Sequence, residues 1–172
     1  NEEPIVEIDL SNSHPALLTQ FAKDPEEKKI LSQLTSQSNF YAAFDRFWDS
    51  DRDKVWNEGK DGCKSFKQLI QKIINGPPRG DLRTYEELRK EFPRLMATIA
   101  SYKSKAGYSG FANQLQGREA NLICLVVNRI KDIPCFTTYD GIAVPLKYTE
   151  EVEAIFRDET QKYLGFEIKT KI

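Results

Sequence analysis

Histidine is almost missing from this chain: His14 is the only one in 172 residues. Serine–histidine–aspartate and cysteine–histidine mechanisms are therefore excluded unless His14 is itself the base, a role that its neighbour Pro15 disfavours. Cysteine is scarce as well, and the three present, Cys63, Cys124 and Cys135, are an odd number without metal-ligand spacing. That pattern argues against a disulfide framework and against zinc, and for a reducing, cytoplasmic compartment. Long apolar runs are absent: the longest, Leu122 to Val127, spans six residues, against the roughly 20 that a membrane-spanning helix needs. No secretory leader, internal repeat or low-complexity linker is expected, and no membrane partner.

Charge is plentiful but segregated. The formal net charge is only -1. Residues 1–51 hold 4 basic and 10 acidic side chains, residues 52–105 hold 13 and 7, and residues 106–172 hold 8 and 9. The basic middle block fits either a solvated helical face or a surface that tracks phosphates.

Hydrophobic periodicity places the elements. Ile5–Leu10 alternates like a half-buried strand, and Ser11 or Ser13 can cap a helix through Ala16, Leu17, Leu18 and Phe21, with Pro15 near its start. Asp24-Pro25-Glu26-Glu27 opens a second helix that turns Ile30, Leu31 and Leu34 to one side. The aromatics Phe40, Tyr41, Phe44, Phe47 and Trp48 recur near helical spacing and read as core. A helical, basic stretch runs from Arg52 to Asn75 and stops at Gly76-Pro77-Pro78. Thr84-Tyr85-Glu86-Glu87 resembles a capping box for a helix carrying Leu88, Phe92, Leu95, Met96 and Ile99, with Pro93 set to kink or split it. After a break at Gly107–Gly110, a long helix from about Ala112 to Lys131 is expected to be buried at Leu122–Val127. Two short strands around Asp140-Gly141, a helix over Glu150–Leu164 ended by Gly165, and an edge strand over Phe166–Ile172 complete the chain. The expected fold class is α+β: a small antiparallel sheet with helices on one face.

Asp9 and Asp140 both fall at strand ends. Each has a plain reading alone, Asp9 as a helix cap and Asp140 as a turn residue before Gly141. Held side by side, two such carboxylates repel unless they share a cation, the arrangement that binds Mg²⁺ in two-metal phosphoryl chemistry.

The order of these features resembles the family A DNA polymerases and the related single-subunit RNA polymerases, over nearly the whole chain. EIDLSNSHP, Glu7 to Pro15, is similar to motif A, a strand-end aspartate followed by a polar turn and a helix. TTYDGIAVP, Thr137 to Pro145, is similar to motif C, and ANQLQGREANLI, Ala112 to Ile123, to the segment around a Gln-Gly that touches the primer-template minor groove. For motif B the match is one of spacing: Lys67 is followed by Asn75 and Gly76 where the family has Tyr-Gly. The resemblance implies a palm-like sheet over 1–50 and 109–172 with a helical, fingers-like insertion over 51–108. It implies a template-directed nucleotidyltransferase acting on primer-template and nucleoside triphosphate, with two Mg²⁺ ions on Asp9 and Asp140. Lys67 would hold the triphosphate as a catalytic group, with Lys64, Gln71 and His14 near the nucleotide. Gln116, Asn113, Lys72 and Arg79 would face nucleic acid. The chain also departs from the family. Cys63 takes the place of the motif B arginine, which Lys60 or Lys64 would have to replace; Gln71 and Asn75 stand where aromatics do, and His14 where a sugar-discriminating glutamate does. Tyr139 and Gly141 replace the usual neighbours of the motif C aspartate. No thumb fits in this length, so a further domain or protein would supply one. The altered motif B favours the alternative of a noncatalytic palm-like domain that binds nucleic acid or serves a replication or defence complex.

Overall fold

In a computed structural model of the chain, residues 3–37, 40–44, 66–77 and 83–172 are described. The fold is α+β, with a four-stranded antiparallel sheet in the order β2-β3-β1-β4. The strands are β1 (Ile5–Leu10), β2 (Phe136–Thr137), β3 (Gly141–Pro145) and β4 (Thr170–Lys171). The helices are α1 (Ser13–Leu17), α2 (Pro25–Ser36), α3 (Phe40–Phe44), α4 (Phe66–Asn75), α5 (Arg83–Glu91), α6 (Pro93–Arg129) and α7 (Thr149–Leu164). Among the described residues no helix is long and apolar enough to cross a membrane. Lys64, Arg79, Cys63, Phe47, Trp48 and most of the helix expected from Arg52 lie outside the described residues.

The chain divides into two compact units. One contains Asn1–Gln20, Leu31–Ser38 and Leu115–Ile172, the other Phe21–Ile30 and Asn39–Gln114.

The first unit is built around the sheet. Alternation along β1 turns Ile8 and Leu10 to the core, where Ile142 and Val144 of β3 meet them in register: Ile8 faces Ile142, and Val6 faces Val144. Helix α7 packs against β1 and contributes Val152 and Phe156, both fully buried. Each such side chain adds about 1.5–3 kcal/mol of burial free energy. Gly165, at φ 88°, ends α7 as its sequence suggests. The other sheet face carries Ile5, Glu7, Asp9, Ala143, Phe136 and Lys171 and is largely open, with Ile5 61% and Phe136 70% exposed.

The second unit is helical. Phe21 stands edge-on to Phe111, ring centres 5.1 Å apart, and to Tyr102, at 5.5 Å. Pro93 splits the expected helix, ending α5 at Glu91 and opening α6, because a proline inside a helix would lack its N–H bond and collide with the preceding turn. The α6 N-terminus is capped from a distance: the buried Glu27 carboxylate accepts from the Arg94 and Leu95 amides at 2.8 and 2.7 Å. Lys103, also buried, donates from Nζ to the Ile73 carbonyl near the end of α4 at 2.7 Å. Desolvation holds its pKa down at about 8.

Several local expectations are corrected. The cap of α1 is neither Ser11 nor Ser13 but Asn12, which adopts the left-handed conformation (φ 57°, ψ 37°) at the end of β1. Asparagine tolerates it better than most residues. Thr84 lies inside α5 with its hydroxyl buried and without a hydrogen-bond partner among the described residues, so no capping box forms there. Ile30 is exposed; the buried stripe of α2 is Glu27, Leu31 and Thr35, at four-residue spacing. The Leu122–Val127 run is amphipathic rather than buried throughout, with Cys124 and Leu125 exposed and Leu122, Ile123 and Val126 in the core. The C-terminal strand shortens to two residues.

Candidate functional site

β1 is flanked by β3 on one side and β4 on the other, and its last open-face residue is Asp9. In the β1–β3 register Asp9 lies opposite Gly141, the residue after Asp140; in the β1–β4 register it lies opposite Lys171. The Leu10 amide donates to the Asp140 carbonyl at 3.0 Å, so the backbone after one aspartate is bonded to the other. Cross-strand spacing and the length of one residue put the two aspartate Cα atoms roughly 6 Å apart. The backbones of two aspartates separated by 130 intervening residues thus lie side by side at one end of the sheet.

Glycine at 141 is required by that meeting. A Cβ there would come within 2.2 Å of Asp9 Oδ1, 2.8 Å of the Ile8 carbonyl oxygen and 3.0 Å of Thr138 Oγ1. The Asp9 carboxylate therefore lies directly over the Gly141 backbone. The hairpin turn is closed by the Thr138 amide donating to the Gly141 carbonyl at 3.0 Å, leaving Tyr139 95% exposed and Asp140 half-buried. The side chains of the two adjacent residues are carboxylates, a donor type suited to a hard divalent cation such as Mg²⁺ that completes its shell with water and phosphate. The Asp9 oxygen that lies over Gly141, Oδ1, is itself buried.

His14, on α1, is held by a residue the sequence reading did not single out. Its Nε2 stands 3.5 Å from Oε2 of Glu119, which is buried on α6. The neighbouring Arg118 donates to the Gln20 side chain, and Gln20 in turn donates to the Tyr163 carbonyl at 3.2 Å. The charged pair Arg118-Glu119 inside the Gln-Gly segment thus turns inward, while Asn113 and Gln116, one turn apart on α6, are exposed. Lys171 was equally missed. Its only signal was the alternating lysine pattern of the last residues, which gives no partner until the register is known.

Lys67, Gln71 and Lys72 belong to the second unit, on α4. Lys67 is exposed, its Nζ 5.9 Å from the centre of the Tyr41 ring, and Gln71 and Lys72 are half-buried. Asp9, Asp140, His14 and Gln116 belong to the first. A cleft of about 380 Å³ between α7 and the C-terminal strand is bordered by Glu153, Arg157, Glu167 and Thr170. Residues that line it pair with one another, Thr170 to Glu153 at 2.6 Å and Arg157 to Glu167 at 3.7 Å, and neither aspartate borders it.

The chain matches no protein-family model and no curated sequence.

Proposed function

We propose that this chain is the palm-like core of a template-directed nucleotidyltransferase, resembling the family A DNA polymerases. The observation that carries the reading is the register of Asp9 opposite Gly141, which brings the aspartates of two distant, motif-like segments to one end of an antiparallel sheet. Asp9 and Asp140 would hold two Mg²⁺ ions. Bound there, the ions supply charge neutralisation and a lowered hydroxyl pKa for in-line phosphoryl transfer. Gly141, by lacking a side chain, leaves the volume that Asp9 Oδ1 occupies. His14, oriented by Glu119, is the side chain assigned to the nucleotide sugar, and Gln71 and Lys64 are assigned to the nucleotide. Lys67 is assigned to the triphosphate, where an ammonium group can hold phosphate oxygens and give a proton to the departing pyrophosphate. The exposed amides of Asn113 and Gln116 are suited to minor-groove acceptors shared by all base pairs. Lys72 and Arg79 extend the positive track of the basic block. The proposed setting is a cytoplasm, and a thumb would come from a further domain or protein.

Primer extension with Mg²⁺, on DNA and RNA templates and with each nucleotide type separately, tests this. Extension that falls about 1,000-fold or more in Asp9→Asn and in Asp140→Asn is expected, since each variant removes several kcal/mol of charge stabilisation. Tight template binding without extension by the unaltered chain would instead favour the noncatalytic palm, the reading to which Cys63 in place of the motif B arginine already points.

A further inference from the structure

The open face of the sheet is graded from one edge to the other. At the β2 edge stand two exposed aromatics, Phe136 on the open face and Tyr139 in the adjoining turn, 70% and 95% exposed. In the middle, on β1, are the carboxylates of Glu7 and Asp9. At the β4 edge Lys171 lies directly across from Asp9, exposed and in no ion pair among the described residues. Adjacent strands are about 4.8 Å apart, so the aromatic and basic edges are separated by roughly 14 Å. A single exposed aromatic needs no explanation. Here two occur within four residues, on the hairpin that carries Asp140.

We infer that this face binds one polynucleotide strand in a fixed orientation, its bases stacked on Phe136 and Tyr139 at the β2 edge and its phosphates toward Lys171 at the β4 edge. The inference rests on the nucleotidyltransferase reading of the same site and adds to it which side of the sheet takes bases and which takes backbone. The chemistry of the face selects this occupant. An apolar protein surface would be opposed by Glu7 and Asp9 in the centre, where their charges could not be desolvated cheaply. A duplex engaged only through phosphates would leave two aromatic rings in water with nothing to cover. Bases have apolar faces that stack on aromatic rings whatever their sequence, and phosphates seek a cation such as Lys171. Where no Mg²⁺ is bound, the central carboxylates repel phosphates and so keep the backbone on the Lys171 side.

The test is equilibrium binding of the full 172-residue chain to fluorescent 12-nucleotide DNA and RNA single strands, with salt varied, in EDTA and again in Mg²⁺. Phe136→Ala and Tyr139→Ala are expected to weaken binding about 5- to 100-fold each, with unchanged salt dependence, as loss of a stacked base does. Lys171→Ala is expected to weaken it mildly and to reduce the salt slope by about one, as loss of a phosphate contact does. All three side chains are exposed, and circular dichroism checks that each variant folds. Aromatic variants that bind like the unaltered chain, an unchanged salt slope in Lys171→Ala, or no binding by the unaltered chain would each overturn the inference. The two readings fail separately. Expected binding shifts without primer extension uphold strand binding and remove catalysis; extension with unaltered binding in the aromatic variants does the reverse.

Discussion

At the scale of single residues, Gly141 is the most constrained position near the aspartates. Its φ is not left-handed; the constraint is space, because the Asp9 carboxylate occupies the volume of a Cβ. Gly141→Ala is therefore expected to displace Asp9 or part β1 from β3. The cost should be about 1–3 kcal/mol of stability, read from urea unfolding, together with loss of any Mg²⁺-dependent activity. A stability unchanged within error would show that the strand end relaxes freely. Asn12 and Gly107 are different cases. Both have positive φ, and Gly107, at φ 74° and ψ 164°, occupies a region essentially reserved for glycine.

At the scale of elements, the long helix α6 is the clearest example of local sequence and tertiary contact acting together. Pro93 fixes where it starts, Gly107 interrupts it, and Glu27 satisfies its first amides from α2, with Arg94 also paired to Asp24 at 2.9 Å. A buried carboxylate is stable there because it accepts two amide hydrogen bonds at the positive end of a helix. Glu27→Ala should cost about 2 kcal/mol, more than an exposed cap, because both amides lose their partner in a buried setting. Chemical denaturation measures it, and a loss under about 0.5 kcal/mol would mean that water replaces the carboxylate. At the far end, Arg129 binds Asp158 and Glu159 of α7, and Lys162 joins them at 2.6 and 3.3 Å. Hydrogen bonds from Lys162 and Arg129 hold the Asp158 carboxyl below its usual pKa. Arg129, Asp158 and Lys162 are solvent-facing while Glu159 is buried, so the exposed pairs orient the two helices more than they stabilise them.

At the scale of the whole molecule, charge follows the division into units: the sheet-bearing unit has 8 basic and 13 acidic side chains, the helical unit 17 and 13. The basic block of residues 52–105 belongs entirely to the helical unit, so on the proposed function the salt dependence of nucleic-acid binding is expected to arise there as well as at Lys171. Stability should also vary with alkaline pH in a defined way. Lys103 has a folded pKa of about 8 against 10.5 unperturbed, so between those values the unfolded chain holds more protons and stability rises with pH. Tyr41 is pushed up to about 12 from 10.0 by burial, so above pH 10 the folded chain holds more protons and stability falls. A maximum near pH 10 is expected. Lys103→Met should flatten the rise and Tyr41→Phe the fall, measured by urea unfolding across the range. Identical profiles in all three proteins would refute the assignment.

Much of this was legible in the sequence because it depends on neighbours along the chain. Alternation marked β1, Asp140-Gly141 marked the hairpin, Pro93 and Gly165 marked helix ends, and the α+β class followed from their order. Each signal reflects a backbone preference or a burial period that acts within a few residues. The cap expectation failed at α1, where Asn12 rather than Ser11 or Ser13 precedes the helix and makes no side-chain capping bond. The buried stretch at Leu122–Val127 misled because composition alone does not say which helical face is covered. Pairing across the fold was decided only by tertiary structure. Nothing local says that Glu119 meets His14, that Glu27 caps a helix beginning 66 residues later, or that Lys171 lies across from Asp9. Sequence determined which aspartates lie at strand ends; register, set by which faces of β1, β3 and β4 are buried together, determined that their backbones lie side by side.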